Sequence, residues 1–118
     1  MKVMKTVKLV STMFLMCAAF AFAQSAHAAV HTDVVLAGGT DSYRSSFQGG
    51  QPAQISVRGD GDTFLVLSVY DQNGHLIGSD TCRYNDCSVS WTPLWTGPFT
   101  IAIQNLGSVY NDYTVVTV

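Results

Sequence analysis

The sequence predicts an all-β protein, an antiparallel sandwich of two sheets and about eight strands, following a cleaved signal peptide. Three observations lead there. Short runs of alternating apolar and polar residues fill the chain beyond its first segment. Gly, Asn, Asp and Pro separate them, and nothing after the leader carries a helical period.

The leader comes first. Lys2, Lys5 and Lys8 form a positive segment, Leu9 to Ala23 is mostly apolar, and Ala26-His27-Ala28 offers small residues where a signal peptidase cuts. Residues 1–28 are therefore read as a signal peptide, with cleavage after Ala23 as the second choice. The apolar run is short of the roughly 20 residues a membrane span needs, and no second one follows. The expected product is residues 29–118, a single periplasmic or secreted domain forming the whole mature chain, with no membrane insertion.

Strands are expected near Val34–Ala37, Tyr43–Gln48, Ala53–Arg58, Phe64–Asp71, His75–Ser79, Cys87–Trp91, Phe99–Asn105 and Tyr113–Val118. Gly38-Gly39 and Gly49-Gly50 punctuate the front half. Thr92 to Pro98 punctuates the back, where two prolines argue against a central strand. Alternation assigns the faces. Ile55 with Val57, Leu65 with Leu67 and Val69, Val89 with Trp91, and Phe99 with Ile101 and Ile103 form apolar sides. The Asp71–Gly74 run reads as a hairpin. A three-residue loop ending on a left-handed Gly74 sets Ile77 opposite Val69, which keeps Ile77 on the apolar side.

Charge and cysteines narrow the function. The expected mature part keeps Arg44, Arg58 and Arg83 against eight aspartates, a balance of −5, and the chain has no glutamate. Such a surface repels phosphate backbones and anionic lipid, so nucleic acid is not an expected partner. Cys82 and Cys87 are the only cysteines past the leader. In an exported protein they are expected to pair, because two thiols without well-placed histidines make poor zinc ligation.

The residues from Ser56 to Asp80 (SVRGDGDTFLVLSVYDQNGHLIGSD) and from Cys87 to Val115 (CSVSWTPLWTGPFTIAIQNLGSVYNDYTV) together resemble the bacterial pre-peptidase C-terminal domain. The resemblance covers roughly Gln51 to Val118, and its specific parts are Gly59–Asp62, Tyr70–Gly74 and Trp95–Pro98. It implies a jelly-roll-like sandwich on an exported protein, no catalytic motif, and a binding or accessory role, with calcium or matrix contact in some relatives. Relatives tend to carry acidic residues where this chain has Phe64 and Val66, which weakens a calcium role resting on those carboxylates. Asp60, Asp62, Asp80 and Asp86 remain as candidate ligands if the fold gathers them. The alternative is a solvated loop whose aspartates bond nearby N–H groups.

The remaining candidates are contact residues. Phe64, Val66, Tyr70 and Leu76 would form an apolar patch if the outer face of their sheet is open. The competing expectation is that the segment before Gly50 folds back over them. Tyr84, in the small cysteine loop, and Trp95, in the proline-flanked turn, are aromatic contact candidates. For Trp95 a lid over the core edge is the competing role. His31 and His75 sit near a terminus and a hairpin tip, poor places for a tuned base, and no nucleophile elbow occurs. The functional expectation is an exported, non-enzymatic binding or accessory domain with no cofactor, calcium excepted, acting on an unknown protein or extracellular polymer. A calcium-dependent adhesion or matrix-binding module and a regulator of an exported peptidase are the alternatives.

Overall fold

In a computed structural model, residues 29–118 are described, and they fold into eight antiparallel strands. The signal-peptide expectation falls on residues 1–28, outside the described residues. The strands are β1 (Ala29–Val35), β2 (Thr40–Phe47), β3 (Ala53–Arg58), β4 (Leu65–Tyr70), β5 (Leu76–Cys82), β6 (Asp86–Trp91), β7 (Gly97–Asn105) and β8 (Asn111–Thr117). One sheet has the order β1-β8-β3-β6 and the other β2-β7-β4-β5.

Period-two alternation builds the core. From one sheet Val35, Ile55, Val57, Val89, Tyr113 and Val115 point inward. From the other come Leu65, Leu67, Val69, Phe99, Ile101 and Ile103. Burying each large side chain contributes about 1.5–3 kcal/mol. Phe47 and Phe99 pack edge-on at 5.9 Å, and Trp91 closes that end of the core by packing on both. Cys82 and Cys87 are bonded and join the edge strand of one sheet to that of the other. Closing so short a loop is worth roughly 2 kcal/mol in the chain-entropy picture.

The structure moves three expectations. The first strand starts at Ala29 rather than Val34 and pairs along its length with β8. Its first six residues are exposed, so no apolar run announces it. Pro98 lies inside β7, a central strand. It pairs there only with Ser46 of β2, because the β4 ladder begins two residues later at Thr100, so no ladder bond needs its missing N–H on that side.

The hairpin holds the third. Gly74 is left-handed at φ 83°, Asp71 N donates to His75 O, and Gly74 N donates to Asp71 O, as a three-residue loop requires. Val69, however, faces Gly78, and Tyr70 faces Leu76, so Ile77 is the extra residue of a bulge. The reason lies across the sandwich. A Cβ on Gly78 would stand 2.8 Å from Val89 Cγ1, so this inward position has room only for hydrogen.

Strand alternation sends four connections, β1–β2, β3–β4, β5–β6 and β7–β8, to one end of the sandwich. The other three connections lie at the opposite end, together with the start of β1 and the end of β8, where Ala29 pairs with Thr117.

Candidate functional site

The four-loop end is built on two buried asparagines. Asn105 is 1% exposed and Asn111 fully enclosed. Asn105 Nδ2 donates to Val109 O at 2.8 Å and Val35 O at 3.3 Å, and its Oδ1 accepts from Gly107 N at 2.9 Å. Asn111 Nδ2 donates to Thr63 Oγ1 at 3.0 Å and Thr63 O at 3.3 Å, and its Oδ1 accepts from Asp60 N at 3.0 Å. A buried amide is stable only when its donors and acceptors are met, and here each asparagine meets them, chiefly with backbone of the surrounding loops. Leu106 N donates to Phe64 O, Asn105 N to Gly39 O, and Gly59 N to Asn85 O, so each loop is tied to another. Gly107 lies so close to Thr63 that a Cβ would collide with its side chain.

This rigid platform carries exposed apolar side chains. Leu36, Phe64, Tyr84, Leu106, Val109 and Tyr110 are all at least half exposed, Tyr84 at 93%. Six such residues share this end, against Val30, Leu76, Leu94 and Trp95 at the opposite end, and they make it the candidate contact surface. Asp60, Asp62 and Asp112 edge it. Asp60 accepts from Asp62 N and Asp112 N, both at 2.9 Å, so its carboxylate is a loop-ordering group.

The expected calcium ligands fall in two places. Asp60 and Asp62 belong to the β3–β4 loop just described. Asp80 and Asp86 stand where β5 and β6 adjoin. There Asp80 Oδ2 accepts from Ser88 N at 3.0 Å, and Arg58 pairs with both oxygens of Asp86 at 3.0 and 3.4 Å. Among the described residues no three His, Cys, Asp or Glu side chains come together as a metal group. Asp80 also covers an edge-strand N–H that would otherwise invite another strand.

The expected contact residues separate as well. Phe64 and Tyr84 belong to the four-loop end. Val66, Tyr70 and Leu76 lie on the outer face of the second sheet. Val66 is parted from the other two by the Ser68–Ser79 pair, whose hydroxyls are 3.3 Å apart. The segment before Gly50 does not cover that face. β1 pairs with β8 and β2 with β7, side by side within the sheets. Trp95 is half exposed at the opposite end, with the Gly49 backbone against its own.

Leu36, Leu106, Val109 and Tyr110 were missed by the sequence reading. A signal existed in the run Asn105–Asn111, which places three large apolar residues inside a turn bracketed by asparagines.

Between β1 and β2 the interior is polar. Tyr113 OH donates to Asp41 Oδ2 at 2.7 Å, linking the sheets. Burial, then the bond to Asp41, pushes the Tyr113 hydroxyl well above the usual tyrosine range. Tyr43 is pushed up to about 12, chiefly by burial. His31 stands edge-on to Tyr43 at 5.3 Å and 3.5 Å from Asp33. His75 lies 3.4 Å from Asp71, whose carboxyl is held below the usual range, first by the His75 backbone N–H.

No family model matches the sequence, and no curated protein matches it in sequence. Solved structures do match in fold. The pre-peptidase C-terminal domain of a Bacillus anthracis collagenase superposes with a TM-score of 0.62 at 12% identity, over 76% of this chain and 88% of that one. PliG of Aeromonas hydrophila, a periplasmic lysozyme inhibitor of g-type lysozyme, superposes with a TM-score of 0.59 at 14% identity, over 83% of this chain and 90% of that one. The chain thus has the sandwich fold of a pre-peptidase C-terminal domain, the likeness its residues suggested.

Proposed function

We propose that this is an exported, non-catalytic domain that acts by binding another protein through its four-loop end. The observation that carries the reading is the joining of exposed Leu36, Phe64, Leu106, Val109 and Tyr110 to a backbone held by buried Asn105 and Asn111. Surfaces that are apolar, prominent and already ordered bind without a large ordering cost. The Cys82–Cys87 bond suits an oxidising compartment, the periplasm or the outside. The Aeromonas protein of similar fold inhibits a lysozyme, so a sandwich of this shape can serve as a protein ligand. A regulator of an exported hydrolase is the form of the proposal we favour.

The test immobilises residues 29–118 and exposes them to the exported proteins of the producing cell. A second bait carries Phe64→Asp with Tyr110→Asp and is first shown to melt as the native domain does. A protein retained by the native bait and lost from the variant, forming a defined complex when purified, supports the proposal. Retention indifferent to the two substitutions, or none at all, overturns it.

A further inference from the structure

The β5–β6 turn carries a residue choice that stability does not explain. Tyr84 and Asn85 have φ of 52° and 83°, and Asp86 N donates to Arg83 O at 3.2 Å. This is the two-residue turn with both central residues left-handed, for which Asn-Gly or Asp-Gly is the favoured pair. A bulky side chain in the left-handed region is disfavoured by contact with its own backbone. Tyr84 is 93% exposed, so no packing offsets that penalty. Backbone strain retained without a packing reason points to function.

The turn is also clamped. The Cys82–Cys87 bond closes its base, and Arg83 and Asp86 bridge. Gly59 N holds Asn85 O at 2.8 Å. Gly61 presses against the Asn85 side chain so closely that a Cβ would lie 2.7 Å from Oδ1. Arg83, beside the tyrosine, is exposed and has no carboxylate within ion-pair distance among the described residues. Asp86 is taken by Arg58, and Asp80 faces the Ser88 amide.

We propose that Arg83 and Tyr84 form a preset anchor that enters a recess on the partner protein. The Tyr84 ring fills the apolar part of that recess, and Arg83 meets a carboxylate at its mouth. This rests on the protein-contact reading above, and it names the dominant residues and the chemistry of the partner's recess. Tyrosine and arginine are the residue types on which binding energy concentrates. An anchor already fixed in its bound shape loses little freedom on docking. Arg83 also supplies a cation in a domain of excess carboxylates, so its effect on association falls with salt.

The test uses the protein captured by the native bait, purified and titrated against the native form and four variants of residues 29–118. Tyr84→Ala is expected to weaken binding about 30-fold or more, the size of a dominant contact. Arg83→Ala is expected to weaken it several-fold and to flatten its salt dependence. Tyr84→Asn puts a residue that tolerates the left-handed region at that position and leaves the Asn85 contacts in place, so that form should melt higher and bind as poorly as Tyr84→Ala. Affinity within twofold of native in Tyr84→Ala, while Phe64→Asp with Tyr110→Asp still abolishes binding, overturns the anchor and leaves the contact surface standing. A lower melting temperature in the Tyr84→Asn form shows that Tyr84 serves the fold, and overturns the proposal too. Failure to capture any protein removes both readings.

Discussion

Asn111 Oδ1 accepts the backbone N–H of Asp60 at 3.0 Å, joining residues 51 positions apart. The same side chain reaches Thr63 with its amide hydrogens, so one enclosed asparagine shapes the β3–β4 loop from both ends. Asn111→Ala leaves the Asp60 N–H and the Thr63 oxygens without this partner. A buried group so stranded costs about 1–3 kcal/mol. Denaturant unfolding should show a loss of that size, and hydrogen exchange at the Asp60 amide should quicken more than in the strands.

Alkali should unfold the domain through its tyrosines. Tyr43 loses its proton near pH 10 when unfolded but only near pH 12 when folded, and the Tyr113 hydroxyl is shifted the same way. Above pH 10 the unfolded chain therefore gives up protons that the native one keeps. Stability is intact below that pH and falls as pH climbs toward the folded value. All lysines lie at positions 2, 5 and 8, so none in residues 29–118 titrates in this window. Thermal melts between pH 9 and pH 12 should drop steeply. Tyr113→Phe should make that decline shallower while lowering stability at neutral pH by about 1–3 kcal/mol, since Asp41 loses its donor.

Gly78 should resist enlargement. Gly78→Ala places a methyl 2.8 Å from Val89 Cγ1, with the disulfide limiting how far the edge strands can part. Overpacking of this kind typically costs about 1–3 kcal/mol. Adding Val89→Ala should recover part of the loss, and a double-mutant cycle in denaturant measures the coupling.

Calcium should do little to the melt. Asp60 is engaged by two backbone amides and Asp86 by Arg58, while a calcium ion takes six to eight oxygens. Melting temperatures in chelator and in millimolar calcium are expected to coincide. A site filled at a hundred times its dissociation constant would add about 2.7 kcal/mol, an increment a calorimeter would register.

Most strands and their inward faces were legible in the sequence because burial imposes strict alternation. Leu65, Leu67 and Val69 announce one such face, and Phe99, Ile101 and Ile103 another. What escaped depended on neighbours distant in the chain. The first strand is mostly exposed and held by β8 alone, so burial imposes no alternation on it. The bulge that turns Ile77 out of register answers to Val89, which lies in the other sheet. At the four-loop end, proposed above as the contact surface, the sequence had singled out only Phe64 and Tyr84 among the exposed apolar residues. The others sit in the β1–β2 and β7–β8 loops, and only topology brings those beside these two. Alternation says which side of a strand is dry, and it does not say which loops share an end.

Because Ala29 pairs with Thr117, the two tails leave side by side, a full strand length from Tyr84 and Phe64. Tethered from either tail, to a bead, a membrane or a neighbouring module, the molecule would stand upright with its four-loop end pointed away from the support.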